Sequence, residues 1–163
     1  MSNRLILNLS ALLLLVSHAH LTVMLAPLDP GILAIQFAFT PQAYWHIIDL
    51  WGASGLGLYR AHFAFDNIHP FVYGAFGYLL IARTRLFDGS RLRRAAMLLL
   101  PIAGLFDLAE NAAQIYLLGQ AHGLDSIVIA VSATCSLIKW SLVVAFVIAV
   151  GLRWGAASLR GSA

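Results

Sequence analysis

The run from Ser126 to Val150 holds one charged residue, Lys139, and is long enough to cross the roughly 30 Å hydrocarbon core of a bilayer as a helix. Three further stretches share this character: Leu5 to Ala26, Ala61 to Ala82 and Ala95 to Leu118. Such a chain has few folds open to it, because lipid offers no hydrogen bonds and the backbone must satisfy its own. With 61% hydrophobic and 10% charged residues and a mean hydropathy of +0.84, the composition is that of a membrane protein. The expected fold class is all-α: an integral membrane four-helix bundle forming a single domain over residues 1–163. Its spans are expected at about 5–26, 61–82, 95–118 and 126–150.

The first span has a rival reading. Arg4, the apolar run Leu5 to Val16, and then Ser17-His18-Ala19 resemble a secretory signal with a small-residue cleavage site, so that residues 1–19 would be removed. The apolar character resumes through Ala26 to full spanning length, and the preferred reading is a retained helix.

Arginine placement orients the bundle. Arg83, Arg85, Arg91, Arg93 and Arg94 fall between the second and third spans, which the positive-inside rule assigns to the cytoplasm. Alternation then puts Arg4, Arg153 and Arg160 on the same side and leaves only Arg60 outside, so both termini are expected in the cytoplasm of a bacterial inner membrane. The nine arginines against one lysine suit a GC-rich bacterial genome. The net charge of +3 is a topology signal and not a nucleic-acid footprint, because no aromatic platform or groove-reading helix accompanies it.

Residues 27–60 are too apolar for a solvated loop. Thr40-Pro41 reads as an N-cap with proline at the first helical position, and Gly52 as a stop. Tyr44, Ile47 or Ile48 and Trp51 recur at helical spacing between them, so a short interfacial helix over about 41–51 is expected, anchored by aromatics or acting as a lid. Gly52-Ala-Ser-Gly-Leu-Gly57 matches neither a phosphate loop nor a nucleophile elbow and reads as a turn. Cys135, the lone cysteine, excludes an intramolecular disulfide, a CxxC pair and a cysteine-rich zinc site.

The polar residues of each span share a face. His62, Asp66, His69 and Tyr73 are spaced by four, three and four; Gly104, Asp107, Glu110, Asn111 and Gln114 form a second stripe, and Ser132, Cys135, Ser136 and Lys139 a third. Small and polar residues at this spacing are what membrane helices place in contact. At about 1.5 Å per residue from the outer end of each span, Asp66 lies roughly 8 Å deep, His69 and Glu110 roughly 12 Å, Asp107 roughly 16 Å and Lys139 roughly 20 Å. His18 and His20 point about 200° apart, so at most one of them joins this column. Lys139 is expected to neutralise Asp107, the acid nearest in depth, leaving Glu110 and Asp66 in surplus. Surplus buried acids must be protonated, paired with histidine, or met by a cation or basic ligand. Pro70 has no N–H for the Asp66 carbonyl, and His69 or a neighbour is expected to serve it.

Asp66-Asn-Ile-His-Pro70 followed by Tyr73, then Leu100-Pro-Ile-Ala-Gly-Leu-Phe-Asp-Leu-Ala-Glu-Asn111, then Lys139-Trp140, resembles a group of small, uncharacterised bacterial four-span membrane proteins. The resemblance spans roughly Thr40 to Trp140; it implies a fold and a shared polar site, and brings no activity. More loosely, four spans with acids in an outward cavity are similar in architecture to the EXPERA proteins, which include sterol isomerases and sterol- or drug-binding receptors.

The leading functional expectation is a pocket for a small apolar or amphipathic molecule, with Asp66, His69, Asp107, Glu110, Asn111 and Lys139 as its polar end. An enzymatic version would use protonated Glu110 or Asp66 as acid and His69 as base. A second class is metal or haem binding through His18 or His20 with Asp66, His69 and Glu110, and a third is a structural or assembly partner without a ligand. No particular cofactor is implied, and the one partner composition establishes is the lipid bilayer.

Overall fold

The computed structural model describes residues 3–161, and among them every regular element is helical: α1 (Asn3–Leu25), α2 (Ile32–Gln36), α3 (Pro41–Asp66), α4 (His69–Arg83), α5 (Arg93–Leu118) and α6 (Ile127–Gly161). Among the described residues three helices are long and apolar enough to cross a membrane: Arg4–Leu25, Arg93–Leu118 and Ile127–Leu159. α5 packs against both α4 and α6, while α1 packs against α4 and α3. Charge and greasiness are inverted relative to a water-soluble protein. Asp107, Glu110 and Lys139 are 4%, 2% and 5% exposed, whereas Leu13, Val23, Leu105 and Ile148 lie largely open at the surface.

The segment 61–82 is not one uninterrupted helix. α3 ends at Asp66 and α4 begins at His69, with Pro70 in its first turn, where a missing N–H costs nothing. α4 has 15 residues, about 22 Å of helix, and is not among the helices long enough to cross a membrane alone. Upstream, Thr40 caps α3, its hydroxyl accepting from the Ala43 N–H at 3.3 Å. The chain then bends at Gly52, whose φ of 58° and ψ of −166° favour a residue without Cβ. Only Gly52 turns: residues 53–57, expected as a turn, continue as helix.

The aromatics of residues 41–51 are turned inward. Tyr44, Trp45 and Trp51 are all buried, in a cluster with Leu28, Tyr59 and Leu117. The indole N–H groups of Trp45 and Trp51 explain the difference from a lipid-facing anchor. Trp45 Nε1 donates to the Leu124 carbonyl at 2.9 Å and Trp51 Nε1 to that of Pro30 at 2.6 Å, both carbonyls belonging to connections between helices. His122 reaches Asp49 at 2.8 Å beside them, and Arg60 donates to the Leu118 carbonyl at 3.0 Å. Residues 41–51 therefore close one end of the helix assembly.

A second apolar cluster, with Tyr73, Ile81, Phe87, Leu100 and Phe146, fills the opposite end. Its tightest point is α4 against α5: a Cβ on Gly77 would lie 2.6 Å from Leu100 Cδ1 and 2.8 Å from Leu100 Cβ. The polar residues of α5 lie between the two clusters, after Ala103 and before Leu117 in its sequence.

Candidate functional site

Asp107 and Glu110 stand three residues apart on α5, hence on one face, and both reach the same ammonium on α6. Lys139 Nζ lies 2.8 Å from Asp107 Oδ1 and 2.6 Å from Glu110 Oε2. Tyr73 of α4 donates its hydroxyl proton to the other Asp107 oxygen at 3.0 Å. The expected pairing of Lys139 with Asp107 alone is thus widened, because an ammonium carries three hydrogens and can serve two carboxylates. Glu110 thus has a cationic neighbour, but one ammonium offsets a single charge, so the cluster is short of one cation and Asp66 is the acid that Lys139 does not reach.

Asp66 faces a cavity of about 850 Å³ between α1 and α6. Apolar side chains form most of its walls, among them Leu14, Leu21, Val143 and Phe146. His18, His62, Asp66, His69 and Tyr73 line it together with Asp107 and Lys139, while Glu110 and Asn111 do not. Both long rims are open at the surface: Leu15 of α1 is 67% exposed and Val147 of α6 is 62% exposed. Residues of the α1–α3 connection, including Leu28, Ile32 and Gln36, cover part of it. Gln36 Oε1 accepts from Trp140 Nε1 at 3.0 Å. Trp140 lies about 20 Å along α6 from its start, so this connection reaches far down the helix instead of resting on its end.

The histidines take separate roles. His62, 3% exposed, donates from Nδ1 to the Tyr59 carbonyl, which can only accept; its Nε2 then points to Asp66 Oδ2 at 3.8 Å. His69 Nδ1 pairs with the Ser17 hydroxyl at 2.8 Å, tying α4 to α1, so this nitrogen is engaged away from the Asp66 carbonyl that was expected to need it. Of the first-span histidines, His18 stacks on His69 with ring centres 5.9 Å apart, and His20 packs edge-on against Phe65.

His62 belongs to the polar stripe of residues 62–73 yet was not among the expected site residues; its four-residue spacing from Asp66 was the available signal. Ser17 and Gln36 carried none, since their partners are distant in sequence. Asn111 Nδ2 donates to Oδ1 of Asn67, in the break between α3 and α4, at 3.2 Å, and Gln114 Nε2 to Ser132 Oγ on α6 at 2.8 Å. Among the described residues no three His, Cys, Asp or Glu side chains are grouped so as to hold a metal ion, and Glu110 lies with Lys139 instead of with His18 and His69. Cys135 is a partly buried free thiol.

No family model, no curated protein and no solved structure matches this chain. Its side chains therefore carry the functional argument.

Proposed function

We propose that this chain is a multi-pass protein of the bacterial inner membrane, with both termini in the cytoplasm, whose interior cavity binds a small apolar or amphipathic molecule. Its four crossings are α1, the end of α3 together with α4, α5 and α6. A broken second crossing suits the reading, since non-helical backbone at membrane depth is tolerated where it lines a cavity or is buried in protein. The likeness of Asp107-x-x-Glu110-Asn111 to small bacterial four-span proteins accords with a buried polar site of this kind.

The observation that carries the proposal is the cavity: about 850 Å³, mostly apolar, flanked by two exposed apolar rims and ending on a few convergent polar groups. An amphiphile matches that layout, its chain along Leu14, Leu21 and Val143 and its head at Asp66. Any acid–base step on it would fall to Asp66 with His62 or His69, because Glu110 is held by Lys139 away from the cavity.

Native mass spectrometry of the protein, released from membranes with lipid and metal analysis, tests this. A lipid-like species should accompany the wild type and be depleted in Val143→Phe, whose ring narrows the apolar part of the cavity, while thermal stability is kept. The same bound mass in both proteins, or none in either, overturns the pocket; stoichiometric zinc or iron would favour a metal protein instead.

A further inference from the structure

We infer that the occupant of this cavity carries an ammonium head, seated between Asp66 and His62; the inference rests on the pocket reading above. Among the described residues Lys139 is the one lysine or arginine lining the cavity, and it is already shared by two carboxylates at 2.8 and 2.6 Å. Adding Asp66 leaves three carboxylates against one fixed cation. A carboxylate or phosphate head would add like charge in a poorly solvated site, where repulsion is weakly screened.

Three donors of the wall are committed elsewhere, which leaves His18, His69 and the Gln36 amide among those that remain. Tyr73 has given its proton to Asp107 and Trp140 to Gln36. His62 uses Nδ1–H on the Tyr59 carbonyl, so in the neutral ring Nε2 is a bare acceptor. It faces Asp66 Oδ2 across 3.8 Å, too far for a direct hydrogen bond. The two side chains are 4% and 17% exposed, so bulk water does little to satisfy them. Two acceptors converging on one space call for a donor, and an ammonium can give one hydrogen to each. α3 ends at Asp66, and the negative end of its dipole adds to the same preference.

The test compares heads on a constant tail. Undecyl chains brominated at the far end and bearing an amine, a hydroxyl or a carboxylate are titrated into the protein in phosphatidylcholine nanodiscs. Trp140 lines the cavity but is also 36% exposed, so quenching that disappears in Trp140→Phe and saturates with the mole fraction of chain reports the cavity, whereas quenching from the lipid phase rises without saturating. The amine should bind at least about tenfold more tightly than either other head, and Asp66→Asn should abolish that advantage while alcohol binding persists. Equal affinity for the three heads, or an amine advantage that survives Asp66→Asn, overturns the head assignment and leaves the pocket standing. Absence of saturating Trp140-dependent quenching by any of the chains overturns the pocket itself. The comparison of heads in the unmodified protein decides the matter even where Asp66→Asn fails to fold.

Discussion

Lys139 holds two carboxylates with one charge, and its removal strands both. Lys139→Met should cost about 3–5 kcal/mol, the scale for breaking a buried pair, read as a fall in thermal stability in detergent. Asp107→Asn with Lys139→Met should recover only part of this, because Glu110 remains. Adding Glu110→Gln should recover most of the rest; full rescue by the double variant would show Glu110 to be uncoupled from Lys139. The same geometry separates the acids by phenotype. Glu110→Gln should lower stability and leave bound-ligand content unchanged, whereas Asp66→Asn should lower ligand content with stability kept. Reversed phenotypes, measured by thermal unfolding and native mass spectrometry, would exchange their roles.

Between elements, the α4–α5 contact depends on Gly77. Gly77→Val should cost about 1–3 kcal/mol as the new methyls meet Leu100. Leu100→Ala in the same chain should return part of that loss if the clash is local, and thermal unfolding of the four variants checks it. α5 and α6 were legible from the sequence because each is one long apolar run carrying its polar residues on a single face. The break between α3 and α4 was not, since His62, Asp66, His69 and Tyr73 keep helical phase across it, although Pro70 marked a missing hydrogen bond. The direction of Trp45 and Trp51 was equally hidden: an aromatic stripe suits an interface or a core, and the carbonyls that decide belong to Pro30 and Leu124. Depth counting favoured Asp107 for Lys139, whereas the three-residue spacing to Glu110 already put a second carboxylate on that face.

At the scale of the whole molecule, eight arginines fall on the proposed cytoplasmic side and Arg60 on the other. Reporter fusions after Ala163 and within residues 83–94 should both read cytoplasmic; an external C-terminus would overturn the orientation or the number of crossings. The space between α1 and α6 has a further consequence for any binding measurement. If the proposed pocket opens between rims as apolar as Leu15 and Val147, its ligand reservoir is the two-dimensional one of the leaflet, and occupancy should follow the mole fraction of ligand among lipids. Diluting the buffer at fixed lipid should leave a strongly partitioning ligand bound, while adding protein-free vesicles should strip it away.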